Sequence, residues 1–201
     1  LSETQMTTTS QQHEHLLIGF SWYPEMWPEE EWAGDIARMR EVGIGLVRVF
    51  EFAWHRCEPL EGVYDFAWAH RVLDQLHAAG LRVIIGTPTA APPAWLTSRY
   101  PEVLQTRPDG SRASHGQRKH YSHHSAKYRE LSAGIVARFV AEFSAHPALH
   151  AWQIDNEMSG ADFSAETRAD FALWLERRFG TVEAMNEAWG LEFWSQAYDR
   201  F

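Results

Sequence analysis

Two hydrophobic rhythms alternate along this chain. Four apolar runs, LLIGFSWYP at 16–24, LVRVFEFAW at 46–54, LRVIIGT at 81–87 and LHAWQIDNE at 149–157, read as buried strands. Between them apolar residues recur at helical spacing. Trp32, Ile36 and Met39 mark one helix, which Pro28 opens and Gly43 closes. Glu29, Glu30 and Glu31 fill its first turn, where the positive end of the helix dipole favours acids. Phe66, Ala69, Leu73 and Leu76 mark a second helix over about 65–79, capped by Asp65 and ended by Gly80. Leu131, Ile135, Phe139 and Phe143 mark a third over about 125–145. Two more helical stretches, about 164–179 and 181–188, follow the last strand. The segment 88–123, rich in Pro, Gly, Arg, Ser and His, is too long for a plain connection. Its Trp95, Tyr100 and Tyr121 predict an ordered loop with a short helix near 93–99.

Strands that alternate with helices across short connections must pair in parallel. Either a doubly wound sheet or a (β/α)8 barrel uses such units. A nucleotide-binding sheet should carry a glycine-rich turn after its first strand, but SWYPEMWP stands there, and no GxGxxG or GxxxxGK[ST] occurs. The expected fold is therefore α/β, a (β/α)8 TIM barrel of which this chain supplies roughly the first four β/α units. A complete barrel typically needs about 250 residues, and this chain has 201. Truncation at the C-terminus is thus expected, with residues 16–201 forming the N-terminal half of the barrel.

Composition removes several classes of partner. There are 18 Lys and Arg against 27 Asp and Glu, a formal net charge of −9. That balance excludes a phosphate-gripping nucleic-acid binder and disfavours anionic membranes. No apolar run approaches the roughly 18 residues of a membrane span. Residues 1–15 include a Ser/Thr/Gln-rich stretch without a basic or apolar signal region, and are expected to be a disordered tail. The single cysteine, Cys57, forbids an internal disulfide or a multi-cysteine zinc site and fits a cytoplasmic protein. Ten tryptophans point toward a sugar-binding cleft.

Barrel chemistry sits at the carboxyl ends of the strands. There the sequence gathers Trp22 and Tyr23, then Glu51, Phe52 and Trp54, then Asp155, Asn156 and Glu157. Flat rings to cover sugar faces and carboxylates to move protons are what a glycosidase needs. Gln153, Asp155 and Glu157 are expected to share one strand face by the period of two. On residues alone, Glu157 is equally a solvated strand end, and Glu51 with Arg48 an ion pair lining the barrel. His115, His120, His123 and His124 lack metal-ligand register and suggest loop hydrogen bonding. Arg118 and Lys119 read as surface charges, and Trp189 and Trp194 as helix packing.

The ordered segments YPEMWP at 23–28, VRVFEFAW at 47–54, EPLEGVYDF at 58–66, GTPTAAPPAWL at 86–96 and YPEVL at 100–104 resemble glycoside hydrolase family 42. So do GQRKHYS at 116–122, HPALHAWQIDNE at 146–157 and MNEAWGLEFWSQAY at 185–198. The resemblance implies a TIM-barrel, retaining β-galactosidase that needs no cofactor, takes a β-galactoside as substrate and often forms a homotrimer. It implies that Glu157 is the general acid/base and that Asn156 binds the sugar near its 2-hydroxyl. It assigns Arg118 to the galactose ring and Trp194 to the pocket wall, in place of the surface and packing roles. Arg48 and Glu51 match charged residues at the pocket floor. Some members hold zinc through cysteines where this chain has Ser122 and the cysteine-free stretch 158–167, so no metal is expected. The family's nucleophile, a glutamate on the seventh strand, is expected beyond residue 201, leaving these 201 residues inactive alone. A general acid must stay protonated near neutral pH, so the pKa of Glu157 is expected to be raised. A non-catalytic sugar-binding fragment, or a related β-fucosidase or α-L-arabinopyranosidase, remains the alternative.

Overall fold

A computed structural model describes residues 16–201 except 117 and 159. The expected tail, residues 1–15, lies outside the described residues. Four strands, β1 (Gly19–Ser21), β2 (Leu46–Val49), β3 (Arg82–Gly86) and β4 (Leu149–Gln153), form one sheet in the order β1-β2-β3-β4. Every pairing is parallel. A doubly wound sheet reverses its strand order at a switch point, whereas a barrel adds each strand beside the last. The sequential order is that of a (β/α)8 barrel sector, here its first four units.

Helices α1 (Glu29–Glu41), α3 (Ala67–Ala78) and α5 (Ala126–Phe143) form the three interstrand crossovers. Their buried stripes are those the sequence spacing marks: Trp32, Ile36 and Met39 on α1, and Ile135, Phe139 and Phe143 on α5. On α3, Trp68 and Val72 join Ala69, Leu73 and Leu76. These residues pack against Val47, Val49, Val83 and Ile85, the helix-facing side of the sheet, in one apolar core. The alternate positions Arg48, Ile84 and Gly86 face the opposite side. Short α4 (Ala94–Arg99) lies in the long β3–α5 segment, and α6 (Ala165–Phe179) and α7 (Val182–Trp189) follow β4.

Two strands end sooner than their apolar runs. Beyond Val49 the chain turns at Phe50, whose φ is +75°, and Trp54 opens a helical turn, α2 (Trp54–Cys57). Beyond Gln153 the backbone leaves the sheet through left-handed residues, Asp155 at φ +56° and Glu157 at φ +49°. Gln153, Asp155 and Glu157 therefore do not share a strand face as expected. Their period of two is lost where the ladder stops, leaving Asp155 buried and Glu157 exposed.

Gly86 makes this geometry fit. A Cβ placed there would lie 2.6 Å from Cβ of Glu51 and 2.9 Å from its Cα. Since backbone cannot yield like a flexible side chain, Gly86→Ala should cost about 2 kcal/mol by overpacking. Thermal unfolding followed by circular dichroism should show a clearly lowered midpoint. An unchanged midpoint would mean that Glu51 is not pinned against β3.

Candidate active site

The site is assembled by a polar chain across the carboxyl ends of three strands. Glu51, fully buried after β2, has its Oε1 3.0 Å from Arg48 Nη2. Arg48 Nη1 donates to Gln153 Oε1 on β4 at 2.9 Å. β3 lies between them, and Gly86, paired with Gln153, keeps its lumen side free of a side chain. Gln153 Nε2 then donates to the Asp155 carbonyl at 2.7 Å and to Asn156 Oδ1 at 3.1 Å. Glu51, Arg48, Gln153 and Asn156 are thereby joined in one chain of polar contacts.

Asp155 fastens the turn itself. Its N–H donates to Thr87 Oγ1 at 2.7 Å, and its Oδ1 accepts the Asn156 N–H at 2.5 Å. The Tyr121 hydroxyl reaches both its oxygens at 3.3–3.4 Å. Burial foremost, then the Asp155 carboxylate, pushes the Tyr121 hydroxyl up to about 12, while the neighbouring Tyr128 hydroxyl pulls the other way. Tyr121 therefore stays a neutral donor. A left-handed glutamate is uncommon and costs of order 1–2 kcal/mol. The bonds around Asp155 and Asn156 hold the chain in that conformation at Glu157.

Glu157 projects into the open, its side chain 62% exposed. Lys119 Nζ donates to its Oε2 at 3.0 Å, and Arg118 Nη2 lies 3.5 Å from the same oxygen. The Lys119 hydrogen bond first, then the charges of Lys119 and Arg118, lower the carboxyl below its ordinary value. This reverses the raised value expected from sequence. No carboxylate opposes it at close range here, and water reaches it freely. Lys119 was expected to be a surface charge. It is instead the cation closest to Glu157, and no motif in the sequence singled it out.

Arg118 also stands over an aromatic cleft. Its guanidinium carbon lies 5.4 Å from the centre of the Phe52 ring, and Phe52 packs against Tyr23 at 5.6 Å. The cleft of about 850 Å³ between them is also lined by Met26, His55, Pro92 and Pro93. A larger open cavity of about 1130 Å³ lies by α6, lined by His124, Asp170 and Trp174, and contains none of the candidate site residues. Trp194 is not brought to the site. It is 80% exposed and stacks on Phe193 at 4.5 Å, and no contact found for it among the described residues reaches Arg118, Asn156 or Glu157.

Beneath the first loop lies a group that sequence reasoning missed. Pro24–Met26 form a 3-10 turn fixed by the Trp32 indole, which donates to the Pro24 carbonyl at 3.1 Å. The turn drives the Glu25 carboxylate inward, where neither oxygen finds a side-chain hydrogen-bond partner. Burial foremost raises its pKa to about 7; Glu51 adds to the rise, while its own backbone N–H and Arg56 oppose it.

The four histidines are dispersed. His115 Nδ1 lies 3.1 Å from Thr97 Oγ1, His115 and His120 pack edge to face, His123 packs on Tyr121, and His124 Nδ1 is 3.3 Å from Asp170. Among the described residues no group of three or more His, Cys, Asp or Glu is arranged to hold a metal. Nor is any helix there long and apolar enough to cross a membrane.

The chain is similar to known proteins over most of its length. The family model Glyco_hydro_42, described as beta-galactosidase, matches residues 21–201. A beta-galactosidase of Arthrobacter sp is 44% identical over 92% of this chain and 27% of its own length. One of Thermus thermophilus is 43% identical over 92% of this chain and 29% of its own. The crystal structure of a β-galactosidase from the psychrophilic Marinomonas ef1 superposes with a TM-score of 0.80 at 41% identity, covering 92% of this chain and 29% of that one. This chain thus spans under a third of the length of these relatives.

Proposed function

The chain belongs to the Glyco_hydro_42 family, and from that premise we propose that the whole protein is a retaining β-galactosidase with Glu157 as general acid/base. In this reading residues 16–201 are the N-terminal half of its catalytic barrel. The observation that carries it is Glu157 itself, an exposed carboxylate at the rim, bracketed by Lys119 and Arg118 beside an anchored Asn156.

Glu157 protonates the glycosidic oxygen while a second carboxylate attacks the anomeric carbon, and it then takes a proton from water as that water opens the glycosyl-enzyme. The second carboxylate must stand about 5–5.5 Å away. Glu51 and Asp155 are committed elsewhere, to Arg48 and to Tyr121. The family resemblance puts the nucleophile, a glutamate on the seventh strand, outside these 201 residues. Lys119 and Arg118 favour the ionised form of Glu157, the form that acts as base in the second step. For the first step, a nearby negative nucleophile and a sugar that displaces water raise its affinity for the proton. Asn156 and Arg118 bind sugar hydroxyls, and Tyr23 and Phe52 offer their ring faces to the apolar side of the sugar or its leaving group.

A panel of nitrophenyl glycosides on the whole protein tests this. The β-galactoside should show the highest kcat/KM, ahead of the β-fucoside and the α-L-arabinopyranoside. The 201-residue chain alone should release no galactose. Galactose binding without turnover by the whole protein would establish a sugar-binding module instead.

A further inference from the structure

Asp162 sits where the loop before α5 meets the segment after β4. Its Oδ1 accepts from the backbone N–H of Thr106 at 2.7 Å and of Ser164 at 3.2 Å. Its Oδ2 lies 2.6 Å from Ser122 Oγ, 2.7 Å from Thr167 Oγ1 and 2.9 Å from Ser164 Oγ. Burial works to raise its pKa, but the donors from Ser122, Thr167, Thr106 and Ser164 outweigh it and hold the carboxyl well below the usual range. These donors favour the anionic form of Asp162.

Its donors come from both sides of a seam. Ser164 and Thr167 belong to its own segment, where Ser164 also caps α6. Thr106 and Ser122 belong to the loop that carries Arg118 and Lys119. That loop is internally braced: Gln105 N–H donates to the His120 carbonyl at 2.9 Å, and Ser122 N–H to the Val103 carbonyl at 2.7 Å. Across the seam, Phe163 N–H donates to the Thr106 carbonyl at 2.9 Å. The two segments approach so closely that a Cβ on Gly160 would lie 2.8 Å from the Gln105 amide nitrogen. Arg118 and Lys119 precede Ser122 on one side, and Glu157 precedes Asp162 on the other. The anion is thus a rivet between the piece of chain bearing the carboxylate and the piece bearing its two cations.

We propose that Asp162 is a positioning residue for hydrolysis: by tying Ser122 and Thr106 to the segment after β4, it sets where Lys119 and Arg118 meet Glu157. The proposal rests on Glu157 being the acid/base. A purely stabilising knot at the start of α6 predicts something different, because the bonds can be cut one side at a time. Ser122→Ala cuts across the seam and also removes the acceptor of the His124 N–H within the loop, while Thr167→Ala cuts only within the segment after β4.

The test uses the whole enzyme with lactose, a poor leaving group, and dinitrophenyl β-galactoside, a good one that needs little protonation. Asp162→Asn and Ser122→Ala should lower kcat/KM for lactose about tenfold more than for the aryl substrate. Glu157 would lose its cations, so the alkaline limb of the lactose profile should move to higher pH. Thr167→Ala should leave the ratio between substrates and the limb unchanged. Should Asp162→Asn fail to fold, Ser122→Ala against Thr167→Ala decides alone. Equal losses on both substrates, or a Thr167→Ala variant that matches Ser122→Ala, would overturn the positioning role. Absence of β-galactoside hydrolysis by the unaltered enzyme would overturn the reading of Glu157 and this role with it.

Discussion

Glu157→Gln in the whole enzyme should lower kcat/KM for lactose by about a thousandfold, within the range that a positioned proton donor supplies. Glutamine keeps the shape and can still face Lys119 and Arg118, but it has no proton to give the leaving oxygen. A dinitrophenyl galactoside leaves without that proton, so formation of its glycosyl-enzyme should survive far better. Breakdown would then be slow, because no base activates water. Added azide should restore turnover of the aryl substrate and yield β-galactosyl azide, since an anionic nucleophile needs no base to open the glycosyl-enzyme. Near-normal lactose turnover by this variant would falsify the assignment. The loss in kcat/KM is expected chiefly with lactose, whose leaving group needs the proton, whereas the loss of the base slows breakdown of the glycosyl-enzyme equally for both substrates.

The second large effect is on stability. Glu25→Gln should remove a pH dependence that the unaltered protein shows between about pH 4.5 and pH 7. Burial first, with Glu51 adding to it, raises the folded-state pKa of Glu25 from 4.5 to about 7. The folded form therefore holds a proton that the unfolded chain has released over that interval. Stability from this group is fully present below pH 4.5 and is lost as pH rises through 7. The loss is about 3 kcal/mol at roughly 1.4 kcal/mol per pH unit. Glutamine is neutral throughout and fills the same space. Midpoints of thermal unfolding for the two proteins should coincide near pH 4.5, diverge in favour of the variant above it, and run parallel above pH 7. Parallel curves across the whole range would show that Glu25 does not titrate on unfolding.

Much of the frame was legible because it rests on local periodicity. The α1 stripe of Trp32, Ile36 and Met39 is buried as read; of the α5 stripe, Ile135, Phe139 and Phe143 are buried and Leu131 packs half-buried against the same core. The carboxylates at the strand ends were legible too, since barrel topology fixes that rim. The turns were not. WQIDNE reads as continuing strand, but Asp155 prefers to bond the next backbone N–H, and the ladder ends at Gln153. Lys119 looks like any charged loop residue until folding sets it beside Glu157. Glu25 and Asp162 were hidden for the same reason. An acid in a polar stretch carries no mark of the burial, or of the ring of donors, that tertiary contacts give it. Trp194 shows the converse: a motif assigns it a role, and within this chain it faces water.

The order of strands in the sheet also bears on how the molecule is made. Gly19 pairs with Leu46, Leu46 with Arg82, and Val83 with Leu149, so each strand docks on the one that left the ribosome just before it. Within this four-strand sector each strand finds its partner already synthesised, so assembly of the sector can keep pace with translation. The closures are not equal. The stretch returning β4 to β3 is about twice as long as those before it, and a doubling adds about 0.6 kcal/mol of closure entropy. Glu157 rides directly behind β4, so the nascent chain presents this carboxylate only once the preceding strands are there to receive it.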